Sequence, residues 1–410
     1  MSKIESSSSS EKNKRRGTRA IRFVLAFSAA ALAVSGAAYG AKPVPSLNAT
    51  VCQSISGTWT APACTIPAGS NGVASSDFRI TRTSALNVKG SLTINTGVTI
   101  SNSGTINVDE NVTGVTVEVG PPVVTAGILV LGTLDNSGVI TIKNATDNTE
   151  GIAVSALVSY DPLLVPNPYL IVPGVLTNSG TIAVQNTGQT QGINNTYGVL
   201  NNSASGTITI TNSGTVTTPS GLVSSVGIRN ARLSTITNAG RITIANSGDA
   251  GVTVGTDVGV GGGRGISNAG FFTNSATGTF TISPSGVLGD TAWGLRNNGS
   301  FTNFGTLINN RGTDTGDPLT STLGSYNLSP GAMINYGKTY VGTPTDPRGT
   351  FYSEFLMMNL GEITSYGALV GGAYLNYGTI YNYGFIGSGE DVGLCIDEPA
   401  SPGIPAGSGC

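Results

Sequence analysis

One short element constrains this chain more than any other feature. The pattern Asn-x-Gly-x-apolar returns as Asn102-Ser-Gly104-Thr-Ile106, Asn136-Ser-Gly138-Val-Ile140, Asn178-Ser-Gly180-Thr-Ile182, Asn212-Ser-Gly214-Thr-Val216, Asn238-Ala-Gly240-Arg-Ile242 and Asn268-Ala-Gly270-Phe-Phe272. Later copies are Asn335-Tyr-Gly337, Asn359-Leu-Gly361-Glu-Ile363, Asn376-Tyr-Gly378-Thr-Ile380 and Asn382-Tyr-Gly384-Phe-Ile386. Asn and Gly tolerate left-handed backbone, so each copy reads as a sharp corner. The Thr-Ile-Thr-Ile alternation that follows sets β-branched apolar side chains on one face and hydroxyls on the other. Strands this short cannot bury a sheet alone, so they must stack.

Spacing decides the stack. Gly270 and Gly278 are eight apart, one strand plus one corner, while Gly180 to Gly206 and Gly214 to Gly240 are steps of 26. Coils of about 18–26 residues with two or three short strands define an all-β fold, a parallel β-helix or β-solenoid. Six-residue steps such as Gly299 to Gly305 are a minority, so the right-handed form is expected over the hexapeptide left-handed one. Residues 86–388 would hold roughly 12–15 coils rising ~4.8 Å each, with corner Asn side chains forming amide ladders. The 59 glycines and the shortage of strong helix formers agree with that reading.

The two ends differ from the middle. Residues 1–22 carry seven Lys and Arg against two Glu, an apolar run spans Phe23 to Val34, and small residues follow. This is the layout of a signal peptide over 1–40, cut after Gly40; an uncleaved anchor would want a longer apolar stretch. Without the leader, 13 Lys and Arg face 20 Asp and Glu, which speaks against a nucleic-acid partner. Four cysteines in an exported chain read as two disulfides, and pairing Cys52 with Cys64 and Cys395 with Cys410 is the simplest of three connectivities. Such staples would hold an N-terminal cap over 41–85 and a C-terminal tail over 389–410, where open strand edges need cover. The spacings do not suit zinc and the chain has no His, so no metal or cofactor is expected.

Three stretches read as insertions: Tyr160–Pro173, Thr313–Leu328 and Thr343–Thr350. The first has four prolines and cannot be interior strand. Its Leu163–Val165 and Leu170–Val172 are apolar enough to meet a partner, although packing on the stack itself is the simpler reading. The acidic pairs Asp109/Glu110, Asp314/Asp317, Glu390/Asp391 and Asp397/Glu398 do not recur one coil on, and adjacent carboxylates in a strand point to opposite faces. They read as solvated charge. Nine of the 13 tyrosines lie after residue 320. Tyr336, Tyr366, Tyr377 and Tyr383 each stand between Asn or Ser and Gly, which predicts one aromatic ladder along one edge. Flat faces with hydroxyl tips suit sugar rings or protein partners; stacking there would also brace the late coils.

The leader, the cysteine-framed Gly57-Thr-Trp-Thr60 and the Asn-Ser-Gly-Thr-Ile repeats resemble bacterial exported β-helix proteins. The group is the passengers of autotransporters and filamentous-haemagglutinin-like adhesins, and the resemblance covers most of residues 86–386. It implies an extracellular surface role. Two departures stand out: the chain ends at Cys410 after a Pro/Gly tail with no translocator barrel, and the Asn-Pro-Asn-Gly signature is missing.

The expectation is therefore a non-enzymatic structural or adhesive protein, secreted or on the bacterial cell surface, with the periplasm as the other compartment. It would be a stiff rod with no transmembrane segment after leader removal. Its loops and tyrosine-rich edge would meet glycans, a host or neighbouring cell, or its own subunits by end-to-end pairing of coil edges. The alternative is a carbohydrate-active β-helix enzyme of lyase or hydrolase type, which needs a carboxylate or basic cluster on successive coils.

Overall fold

The computed structural model describes residues 43–109, 116–117, 124–143, 150–160, 169–185, 191–211, 226–245, 264–282, 293–310, 323–328, 330–344, 349–387, 390–391 and 394–397. The expected leader, 1–40, lies outside them. The coils belong to one compact unit, Val44–Cys410, and their architecture is a parallel β-helix with three strands per coil. In one coil Thr207–Thr211 lies on face one, Val226–Asn230 on face two and Thr235–Asn238 on face three. The chain then returns to face one, one level up, at Arg241–Ala245, with Ile208 beside Ile242.

Face one is a 14-stranded sheet running from Thr58–Thr60 to Leu394–Asp397. Every pairing in it is parallel except the first, where Thr58–Thr60 lies antiparallel on Ala63–Ile66. Faces two and three fuse late in the stack, where Thr350–Asn359 and Ala368–Asn376 each run through the bend between them. The alternation read from the sequence holds: Thr207–Thr211 is half-buried at its threonines and buried at Ile208 and Ile210. Leu86, Ile106, Ile140, Ile182, Ile208, Ile242, Phe280 and Leu307 form one inward column in register. None exceeds 1 % exposure, and each buried side chain of this size stabilises by about 1.5–3 kcal/mol.

Asparagine ladders run beside that column. Asn102, Asn136, Asn178, Asn202, Asn238, Asn274, Asn303, Asn335, Asn359 and Asn376 close the face-three strands, and each Nδ2 donates to the Oδ1 of the next at 2.7–2.8 Å. A second ladder closes face two: Asn195, Asn230, Asn268, Asn297 and Asn327, bonded at 2.6–2.9 Å and ending on the Ser353 hydroxyl. The first ladder confirms the expected amide stacking. The second rests on another repeat, Gly-[Ile/Leu]-x-Asn, as in Gly227-Ile-Arg-Asn230 and Gly265-Ile-Ser-Asn268.

Three expectations need correction. Coil lengths along the first ladder run from 17 to 42 residues, beyond the expected 18–26. Most of the excess enters between face one and face two, where 186–190, 212–225, 246–263, 283–292 and 311–322 join the strands; in the 42-residue coil it also enters between face two and face three, through the antiparallel pair Ala156–Tyr160 and Tyr169–Pro173. The Asn212 copy of the repeat lies in this group, outside the described residues. Second, the corner glycines are not left-handed, because positive φ at glycine occurs among the described residues only at Gly69, Gly97 and Gly342. The corners need glycine for room. A Cβ at Gly180 would sit 2.2 Å from the Gly138 carbonyl oxygen of the coil below. Third, the expected insertions are partly strand: Leu323–Asn327 lies on face two, and Tyr169–Pro173 pairs with Ala156–Tyr160.

The N-terminal end is closed. A short helix, Ala49–Ser54, is capped by Asn48, whose Oδ1 accepts from the Val51 amide at 3.0 Å. Leu47 and Ile55, 4 % and 2 % exposed, join the same hydrophobic core. Cys52 on the helix is bonded to Cys64, with Cα atoms 5.5 Å apart. The parallel stack already begins at Ala63–Ile66, ahead of residue 86, and Cys64 stands in register with Leu86. At the far end Cys395 stands in register with Ile380, while Cys410 lies outside the described residues. Among those residues no helix is long and apolar enough to cross a membrane.

Candidate functional site

The corner after face three carries the most unusual surface. At each of its levels the residue following the ladder asparagine donates its amide to the ladder asparagine below, as Tyr336 does to the Asn303 carbonyl at 2.7 Å. That bond turns the side chain outward. In the early coils it is small: the Ser137 and Ser179 hydroxyls fold back onto the carbonyls of Asn102 and Asn136. In four successive later coils it is Phe304, Tyr336, Leu360 and Tyr377, which are 46 %, 49 %, 41 % and 53 % exposed. Their ladder asparagines are in register. The Phe304 and Tyr336 rings stack at 4.9 Å and 9°. Four levels at ~4.8 Å make an apolar row about 14 Å long.

Two residues beyond each member of that row stands the first residue of the next face-one strand: Thr306, Lys338, Glu362 and Thr379. They are mutually in register, and Lys338 Nζ lies 3.7 Å from Glu362 Oε2. A row of aromatic and aliphatic faces thus runs beside a row of hydroxyl and charged groups. Flat rings take the apolar face of a ligand, and the neighbouring polar row takes its hydroxyls.

The four tyrosines predicted to form one ladder divide between two corners. Tyr336 and Tyr377 belong to the row just described. Tyr366 and Tyr383 lie at the corner after face one, where their amides donate to the carbonyls of Val341 and Ser365. Their rings stack on each other at 4.8 Å and 13°, and both are half-buried. The single-edge expectation fails because Asn-Tyr-Gly occurs at both corners, after the face-three strands at Asn335 and Asn376 and after a face-one strand at Asn382, and the tripeptide does not say which. Phe304 and Leu360 hold the same position without a phenol, so only the register of their asparagines brings them into the row. Of the acidic pairs, Glu110, Asp314, Asp317 and Glu398 lie outside the described residues.

One titratable group went unnoticed in the sequence. Glu150 begins a face-two strand, and its Oε1 accepts from Asn194 Nδ2. Its Oε2 is shut off from solvent without a hydrogen-bond partner, as is Gln191 Oε1 at the register-paired position above. Burial pushes the carboxyl from its ordinary 4.5 up to about 7, against the partial lowering by the Asn194 bond and by the charge of Arg229. Between those values the native state holds a proton that the unfolded chain has released. The stability this carboxyl contributes is therefore full below about pH 4.5 and is lost as pH rises through 7, by on the order of 3 kcal/mol. Glu150→Gln keeps the shape and removes the titration. Its thermal midpoint is expected to match wild type at pH 4.5 and exceed it at pH 8; equal midpoints at pH 8 would refute the assignment.

No protein-family model matches the chain, and no curated protein matches it.

Proposed function

We propose that this is an exported, non-enzymatic β-helical surface protein that adheres to glycans through the Phe304, Tyr336, Leu360 and Tyr377 row. The observation that carries the reading is the exposure of that row on four successive coils beside Thr306, Lys338, Glu362 and Thr379. Side chains that serve only packing are covered, and these are about half open. Tyr366 and Tyr383, stacked and half-buried, brace the neighbouring corner. The Cys52–Cys64 bond suits an oxidising compartment, and the leader-like residues 1–40 supply the address. In this reading the protein works as autotransporter passengers and haemagglutinin-like adhesins do, as a stacked scaffold that displays a recognition edge.

The test is a glycan array followed by calorimetry on the best ligand, using the oxidised chain from Ala41. Tyr336→Ala with Tyr377→Ala is expected to weaken binding at least about fivefold, in line with about 0.5–1.5 kcal/mol per ring contact. Tyr366→Ala should leave affinity within about twofold. Unchanged affinity in the double variant would remove the row from the site. Turnover of an arrayed polysaccharide would replace adhesion with the enzymatic alternative.

A further inference from the structure

The strand Glu150–Tyr160 leaves the stack halfway along its length. Its first part pairs in parallel with Val124–Val130 below and Gln191–Thr196 above. Its second part, Ala156–Tyr160, pairs antiparallel with Tyr169–Pro173 in five continuous pairs without a bulge. Among the described residues Tyr169–Pro173 has no second neighbour. None of the ten residues in this ribbon is charged. Leu157 and Val158, which point to opposite faces, are 40 % and 46 % exposed, and Ile171, paired with Val158, is 40 % exposed. The ribbon therefore presents apolar side chains on both faces and an unpaired edge. Two-stranded ribbons are marginal in water, and natural edges are blunted by lysines, bulges or charges. This one carries Pro173 at its last position and no lysine, bulge or charge along the rest of the edge.

We propose that the Tyr169–Pro173 edge docks a second copy of this chain, the two ribbons joining antiparallel about a two-fold axis through Ile171. The Gly174 amide donates to the Ser155 carbonyl at 2.6 Å. That bond sets the alternation of the ladder and turns the amides of Tyr169 and Ile171 to the outer edge. About the axis Ile171 meets Ile171, and Tyr169 meets Pro173. Pro173 has no N–H to give, but its carbonyl accepts from Tyr169, so neither outward amide is left unmet. Charge and symmetry fix the occupant: an uncharged apolar edge is matched by its own copy, and an antiparallel strand pair is two-fold by construction. The contact is lateral. It differs from the end-to-end pairing of coil edges considered from the sequence, which at the N-terminal end of face one would meet Thr58–Thr60, the strand laid antiparallel on Ala63–Ile66.

Sedimentation velocity of the full oxidised chain over a hundredfold concentration range tests this. A reversible dimer is expected for wild type, and Ile171→Lys should raise its dissociation constant at least tenfold with an unchanged circular dichroism spectrum. Should Ile171→Lys fold poorly, Ile171→Cys carries the test. Its Cα atoms would stand about 5.5 Å apart across the axis, within disulfide reach, and mild oxidation should give a covalent dimer. A wild type that stays monomeric throughout overturns the proposal, as does a dimer indifferent to Ile171→Lys together with an Ile171→Cys that does not cross-link. Flotation with phosphatidylcholine vesicles, lost in Ile171→Lys and without any dimer, would make the occupant a membrane and overturn it equally.

Discussion

Gly240→Ala should lower the stability of the stack by more than about 4 kcal/mol, although it adds a single methyl group. The new Cβ would lie 2.2 Å from two backbone oxygens of the coil below, those of Gly206 and Ser203. Neither can yield. The Gly206 carbonyl accepts from the Arg241 amide at 2.9 Å, and the Ser203 carbonyl accepts from the Gly206 amide at 2.8 Å. Relief would lift one coil off its neighbour, and every hydrogen bond on three faces is set to a common rise of ~4.8 Å. Gly97→Ala is the matched comparison. Gly97 has φ +78° and nothing within 4 Å of a Cβ, so its cost is backbone strain alone, about 1 kcal/mol. Urea unfolding followed by circular dichroism, with hydrogen exchange over 206–245, reads both variants. A Gly240→Ala midpoint at or above that of Gly97→Ala would refute the account.

The contrast shows what the residues revealed and what they hid. Fold class was legible because Asn-x-Gly-x-apolar encodes two local facts, a corner and a half-buried strand, and short strands have no other way to be buried. The reason for the glycine was not legible. A sequence shows that Gly240 is Gly, and left-handed backbone and close approach leave the same letter. Coil length was misjudged for a related reason: insertions between one face and the next change spacing without changing the corner signal. The Gly-[Ile/Leu]-x-Asn repeat could have been seen, since Gly227-Ile-Arg-Asn230 and Gly294-Leu-Arg-Asn297 stand in plain view. Its glycine precedes the asparagine by three residues, so it lies outside the Asn-x-Gly frame. The candidate site was half legible. Tyr336 and Tyr377 were found by chemistry, but Phe304 and Leu360 join them only through register, which fixes the corner at which each tripeptide falls.

Asn238→Ala is expected to cost about 2–6 kcal/mol, and Asn238→Asp to cost a pH-dependent amount, because the ladder is a directed chain of bonds. Asn238 Oδ1 accepts from Asn202 Nδ2 at 2.7 Å; its own Nδ2 donates to Asn274 Oδ1 at 2.8 Å and to the Thr279 carbonyl at 3.2 Å. All three asparagines are at most 1 % exposed. Alanine takes one acceptor from Asn202 Nδ2, which keeps the Gly206 and Arg241 carbonyls at 3.2 Å, and removes both donors from the acceptors above, each such loss costing about 1–3 kcal/mol. Aspartate keeps the shape and still accepts from Asn202. Ionised, it sets a buried negative charge against the Asn274 oxygen and leaves that oxygen without a hydrogen; protonated, its O–H restores the bond. Burial and that oxygen raise the native pKa above the unfolded value of about 3.9. The native state then binds the extra proton, and Asn238→Asp should lose stability as pH rises above 4. At pH 8 it should fall below Asn238→Ala, since an unpaired buried charge costs more than a missing amide. At pH 4 it should recover toward wild type. Parallel thermal scans of the three proteins at the two pH values decide it: an Asn238→Asp midpoint that follows wild type at both would mean that the amides stack without the directed bonding read from their geometry.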